Sequence, residues 1–102
     1  MFNCRQSCNI HNTANNNFND LQNARLDLIG EIQAIYDYDQ HISTSDNSIA
    51  IDTWRDIKQE ELVHVGELLA LIDYLDPNQK QFIEQGIREF NNRLNNNQRI
   101  RD

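Results

Sequence analysis

The sequence predicts an all-α fold, an antiparallel two-helix hairpin followed by a short C-terminal helix. Three observations support this: apolar residues recur in steps of three and four, β-type alternation is absent, and only three glycines and one proline interrupt 102 residues. The composition divides the chain into an Asn-rich N-terminal arm (1–20), a helical hairpin (21–75), and a C-terminal helix with a polar tail (76–102). With a hydrophobic content of 38%, a single chain has few apolar residues from which to build its own core. We therefore expect the hairpin to dimerise into a four-helix bundle.

The first helix is expected to begin between Thr13 and Asp20, either of which can serve as its N-cap, and to end near His41 or Ile42. One acid interrupts its otherwise apolar row, and this acid is Glu31. The row consists of Leu21, Ala24, Leu28, Glu31, Ile35, Tyr38 and Ile42.

The second helix is expected to run from Ser48 to Leu75, after a polar connection over residues 43–47 short enough to force an antiparallel hairpin. Its apolar stripe is predicted to contain two ionisable residues, Glu61 and His64. The predicted stripe is Ala50, Trp54, Ile57, Glu61, His64, Leu68, Leu71 and Leu75.

A third helix is predicted from Pro77 to about Arg93, because Asp76 can act as its N-cap and Pro77 suits its first position. The Asn-rich residues beyond it are expected to fray. The apolar face of this helix consists of Phe82, Ile83, Gly86, Ile87, Phe90 and Leu94.

The polar residues in the two stripes are predicted to meet. Glu31 lies about fifteen residues before the centre of the connection, and Glu61 and His64 lie about fifteen to eighteen after it. Burying a carboxylate costs several kcal/mol unless it is paired, and a metal ion suits Glu and His together. Di-iron carboxylate bundles use a Glu from each of two helices and a Glu-x-x-His from each of two others, so this chain carries half of such a set. A homodimer would complete it.

Two segments resemble the ferritin-like superfamily, and most closely the encapsulated ferritins: Glu31-Ile-Gln-Ala-Ile-Tyr-Asp-Tyr38 and Glu60-Glu61-Leu-Val-His64-Val-Gly-Glu-Leu-Leu. The resemblance covers roughly residues 21–75. It implies a ferroxidase whose di-iron centre forms across a homodimer interface, dimers that join into a ring-shaped decamer, and an encapsulin shell as a partner. Glu31, Glu61 and His64 would be the iron ligands.

The resemblance also implies that Tyr38 lies beside the iron ligands, although packing in the core explains this tyrosine as well. Gly30 and Gln33 stand where family members tend to carry acids of a metal entry site, while Glu60 and Glu67 offer other carboxylates or belong to a solvated face. After Phe90 we find no segment like the one that directs encapsulated ferritins to their shell.

Two other functions stay open. A rubrerythrin-like peroxide reductase would call for rubredoxin-type Cys-x-x-Cys pairs, which this sequence lacks. A structural or interaction protein could use the same dimer core to bind zinc, calcium or no redox-active metal.

The net charge of -7 argues against nucleic-acid binding, and no apolar run is long enough for a membrane span. The absence of an apolar signal region leads us to expect a cytoplasmic protein, inside an encapsulin compartment if the resemblance extends that far. Cys4, Cys8 and His11 have helical spacing that a thiophilic metal could use, or they are two reduced thiols and an exposed histidine.

Overall fold

The computed structural model describes the backbone of residues 13–101 and the side chains of residues 18–98. Three helices occupy this range: α1 (Thr13–Thr44), α2 (Ser48–Leu75) and α3 (Pro77–Arg101). No strand occurs in it, so the all-α prediction is confirmed. Helix α1 begins at Thr13, the first residue of the predicted window, and therefore includes the last part of the segment that the sequence assigned to an arm.

Residues 45–47 form the connection between α1 and α2. The Asn47 side chain caps α2, because its Oδ1 accepts a hydrogen bond from the Ala50 backbone N–H at 3.0 Å. The Asn47 backbone N–H in turn donates to Ser45 Oγ at 3.1 Å. This short, side-chain-bonded turn makes α1 and α2 antiparallel neighbours, as predicted.

The buried core of the described side chains lies at the end of the hairpin away from this turn. Leu21 and Ala24 of α1 pack with Ile72 of α2, which is 1% exposed, and Leu28 and Leu75 extend the cluster. Elsewhere the facing residues of α1 and α2 are only half-buried. Two helices side by side cannot enclose a core, so the apolar rows of this hairpin stay partly open to solvent.

The predicted stripe of α2 was wrong at two positions. His64 and Leu71 are exposed, whereas Val65 is half-buried and Ile72 is buried against α1. A strict alternation of three and four has a period of 3.5 residues, which drifts by about 20° per heptad against a straight helix of 3.6 residues per turn. The extra step of four between Glu61 and Val65 corrects that drift and leaves His64 at the edge of the interface.

Asp76 forms the corner between α2 and α3. Its backbone N–H donates to the Ile72 carbonyl at 2.9 Å, while its Oδ1 accepts from the Gln79 N–H at 3.2 Å and so caps α3. From α1, the Arg25 guanidinium reaches Asp76 Oδ2 at 3.5 Å and also hydrogen-bonds the Gln79 side chain. The beginning of α3 is thereby fixed to both helices of the hairpin.

Helix α3 is longer than predicted and extends to Arg101, beyond the expected end near Arg93. Asn costs less than about 1 kcal/mol per residue relative to Ala in a helix, and no Gly or Pro follows Gly86, so nothing in the sequence terminates the helix earlier. Every described side chain from residue 81 to residue 98 is exposed. Helix α3 therefore projects from the corner, and the radius of gyration of 19.4 Å exceeds the roughly 13 Å of a compact domain of this length. None of the three helices, over their described residues, combines the length and apolarity that crossing a membrane would demand.

Candidate metal centre

Three side chains converge midway along the hairpin. Glu31 projects from α1, and Glu61 and His64 project from α2 one turn apart. His64 Nδ1 lies 3.1 Å from Glu61 Oε1 and 3.4 Å from Glu31 Oε1. The structure thus brings together the three residues that sequence spacing placed at one height, although the helix exposes His64 more than the predicted stripe implied.

The two carboxylates lie close together, and no Lys or Arg cation among the described residues neutralises them. Among the described residues, neither Glu31 nor Glu61 forms an ion pair with Lys or Arg: the ion-paired cations nearby are Lys58, with Asp39, and Arg25, with Asp76. The hydrogen bond from His64 to Glu31 and the negative charges of Glu31 and Glu61 raise the pKa of His64 above 6.5, against an opposing effect of desolvation. The site therefore attracts a positive charge, and a proton on His64 supplies one.

The donor atoms also fit around a metal ion. One ligand atom from each residue lies within 4.8 Å of the others. Ligands at about 2.0–2.2 Å from a metal are separated by about 3–4 Å, so a small movement of flexible side chains brings all three onto one cation. Two carboxylate oxygens and an imidazole nitrogen suit a divalent transition metal such as iron.

The site opens on one side of the hairpin. The Glu31 and Glu61 side chains are 23% and 19% exposed, whereas His64 is 47% exposed. Three donors from one side leave part of a coordination sphere vacant, and that part faces away from the hairpin. Among the described residues of the chain, no fourth Asp, Glu, His or Cys joins this group.

Tyr38 lies nearer the turn than the three converging residues. It is half-buried on α1, about 10 Å along the helix axis from Glu31, with its ring edge-on to His41 at 6.1 Å between centroids. His41 also lies 5.1 Å from the Trp54 ring. The role of Tyr38 beside the iron ligands stays a prediction, and aromatic packing near the turn accounts for what the structure shows.

The positions that flank Glu31 on α1 carry Gly30 and Gln33. Gly30 is exposed, and Gln33 donates a hydrogen bond from Nε2 to Asp37 Oδ1 at 3.0 Å. Glu60 and Glu67 are both exposed on α2. Cys4, Cys8 and His11 lie outside the described residues.

One feature was missed by sequence reasoning: an open cleft with a volume of about 490 Å³ at the end of the hairpin away from the turn, beside the buried core. Its acidic residues are Asp20 and Asp27, and Asp27 precedes Glu31 by one helical turn. Asp27 and Glu31 are four residues apart, a spacing that places two acids one turn apart on the same face of a helix. Asp27 nevertheless lies outside the apolar row that contains Glu31. The full lining is Asp20, Asn23, Ala24, Asp27, Leu71, Tyr74 and Leu75.

Comparison with known proteins gives one informative similarity. The chain is 37% identical over 65 residues to a protein of Pyrococcus furiosus described as a ferritin-like-encapsulin shell fusion protein. The matched region is 64% of this chain and 19% of that protein, so the chain spans about a fifth of its relative. No family model matches the chain, and no solved structure matches it significantly.

Proposed function

We propose that this chain is a ferritin-like subunit that binds ferrous ions through Glu31, Glu61 and His64 and oxidises them at a di-iron centre shared between two copies. The observation that carries the proposal is the convergence of two carboxylates from different helices on one imidazole nitrogen, with no Lys or Arg paired to either among the described residues. The similarity to a ferritin-like fusion protein supports the same class.

A second copy supplies what the single hairpin lacks. Each chain offers three donors on its exposed side, whereas a di-iron bundle uses four carboxylates and two histidines. Two hairpins that face each other across His64 provide that number and form a four-helix bundle. Resemblance to the encapsulated ferritins extends this to a ring of dimers.

The protein's part in the reaction is to hold two ferrous ions together and to stabilise the higher charge that each acquires. Four carboxylates offset the positive charge that increases when iron becomes ferric, and this favours the loss of electrons. Two ferrous ions together supply two electrons, enough to reduce dioxygen to peroxide. The neutral form of His64 is the metal ligand, so ferrous ions and protons compete for this nitrogen.

The proposed destination of the ferric product is an encapsulin-type shell. A site at the interface between two helical hairpins offers no enclosed volume for a mineral, so storage would take place in a separate compartment. The Pyrococcus furiosus relative, a ferritin-like-encapsulin shell fusion protein, joins a ferritin-like part and an encapsulin shell in one chain, which supports a pairing of this subunit with such a shell.

The direct test is aerobic addition of ferrous ion to the purified protein, followed by the ferric absorbance and by the oxygen consumed. We expect rapid oxidation up to about two irons per dimer. Glu31→Gln and His64→Ala should abolish the rapid phase. Glu84→Gln, which removes an exposed acid on α3 and none of the three ligands, is the matched control and should oxidise iron at the native rate.

The same titration distinguishes the alternatives. Oxidation at equal rates in native protein and in Glu31→Gln would refute the proposal. Stoichiometric binding of ferrous ion without oxygen uptake would instead identify a non-redox metal-binding dimer. Oxidation of iron by hydrogen peroxide but not by dioxygen would favour the peroxide reductase.

A further inference from the structure

The cleft at the end of the hairpin away from the turn is lined by none of the three residues of the metal centre. It has a volume of about 490 Å³ and lies between α1 and the last turns of α2. All of its lining residues belong to one chain, so a ligand can bind there without a second copy and without iron.

Two carboxylates lie on the α1 side of the cleft. Asp20 and Asp27 are seven residues apart, which is two helical turns, so they share one face of α1 with their Cα atoms about 10 Å apart. Among the described residues neither forms an ion pair, and the Arg25 guanidinium on the same helix binds Asp76 and Gln79 instead. Each carboxylate can therefore accept a positive group from a ligand.

The lining between the two carboxylates is apolar. Ala24 lies midway between them along α1 and is 2% exposed, and Leu75 of α2 is half-buried against the same core. Leu71 borders the cleft with 43% of its surface exposed. Apolar surface at this position favours an alkyl chain, because covering it removes both surfaces from water.

Tyr74 adds an aromatic ring on the α2 side. It is 79% exposed and so has a ring face open to a ligand. An organic cation is attracted to the face of such a ring. The ring and the two carboxylates therefore favour the same sign of charge.

The separation of the carboxylates excludes one metal ion as the ligand of both. Ligand atoms around a metal ion are about 3–4 Å apart, and two short Asp side chains that start two turns apart cannot approach so closely. A ligand that contacts both must be elongated, with a positive group at each end. We propose that the cleft binds a linear aliphatic diamine, the chemical class to which polyamines belong, with one ammonium group at Asp20 and the other at Asp27.

The cleft opens on the side of the hairpin on which His64 is exposed. Asp27 is turned by about 40° from Glu31, and His64 by about 60° from Glu61 in the same sense about its own helix axis. Because the helices are antiparallel, equal rotations lead to the same side. In the proposed dimer a bound diamine would lie near the second copy, and the test therefore distinguishes the two occupants.

The test is a titration of isotope-labelled, metal-free protein with octamethylenediamine at low ionic strength, followed by the NMR shifts of backbone amides. We expect saturable shifts at the residues that line the cleft. Trimethylenediamine is too short to reach both carboxylates, and octylamine has only one ammonium group. Each should bind about two- to five-fold more weakly, the factor that one exposed ion pair contributes.

Two variants with the same change in charge provide the matched comparison. Asp27→Asn should weaken octamethylenediamine about two- to five-fold and remove its advantage over octylamine. Asp56→Asn removes an exposed acid near the turn, far from the cleft, and should bind with the native affinity.

Three results would overturn the proposal. Octylamine and octamethylenediamine could bind equally well to the native protein, or Asp27→Asn and Asp56→Asn could bind the diamine equally well. In the third, the shifts of the cleft residues change with protein concentration and not with diamine, which would identify a second copy as the occupant.

Discussion

His64 Nδ1 lies 3.4 Å from Glu31 Oε1, across the hairpin and 33 residues away in sequence. It lies 3.1 Å from Glu61 Oε1 on its own helix. One ring nitrogen thus faces two carboxylates, and a cation placed between them would interact with all three groups.

Adjacent glutamates on α2 should differ sharply in metal affinity. Glu61 contributes to the site, whereas Glu60 is exposed beside it. Glu61→Gln should weaken binding of Co²⁺ at least about ten-fold, because it removes a charged ligand, while Glu60→Gln should change it little. Calorimetric titration at fixed pH measures both. Equal losses in the two variants would mean that the acidic surface, and not this site, binds the metal.

The metal-free protein should lose the stabilising contribution of His64 as the pH rises. The folded protein holds the His64 proton more tightly than the unfolded chain, because Glu31 and Glu61 raise its pKa. The contribution is therefore fully present below the ordinary histidine pKa of about 6.5 and disappears as the pH rises through the higher, folded value. Urea unfolding of native protein and His64→Gln, with chelator and at constant concentration, should show a stability difference that shrinks over this range. A constant difference would contradict the prediction.

Ile72 and Leu71 should respond differently to truncation. Ile72 is 1% exposed and packs against Leu21 and Ala24, so Ile72→Ala should cost about 2–5 kcal/mol in the free energy of unfolding. Leu71 is exposed to solvent, so Leu71→Ala should lower the free energy of unfolding by less than about 1 kcal/mol. If Leu71→Ala destabilised the protein more than Ile72→Ala, Leu71 would be the residue packed against α1, as the sequence predicted.

The Arg25 contact should hold the beginning of α3 in place. Arg25→Ala removes the interactions with Asp76 and Gln79, so the backbone amides of Gln79 and Lys80 should exchange hydrogen faster. Because Arg25 is 37% exposed, the global loss should be about 1 kcal/mol or less. Arg55→Ala breaks the exposed pair with Asp52 and should leave these amides unchanged. Exchange measured by mass spectrometry would show no difference between the two variants if the corner is held by its backbone alone.

The sequence predicted the hairpin and the meeting of Glu31 with Glu61 and His64 because these follow from local rules. Helix period, a short capped turn and equal spacing on both sides of it leave little freedom for the register. It did not predict that Val65 would replace His64 at the interface, since alternation of three and four gives no signal for where the extra step falls. The contact between Arg25 and Asp76 joins residues 51 positions apart, and no local sequence pattern predicts such a contact. The end of α3 was missed because its Asn-rich composition was read as fraying.

The one-sided arrangement of the three donors has a thermodynamic consequence under the proposed function. If metal is fully liganded only between two chains, then ferrous ion and subunit association strengthen each other by the same factor, as reciprocal linkage requires. Dilution would release iron, and iron would draw dilute subunits together. The activity of the centre would then depend on the subunit concentration. It would be high where the concentration favours the dimer and low where the subunits dissociate.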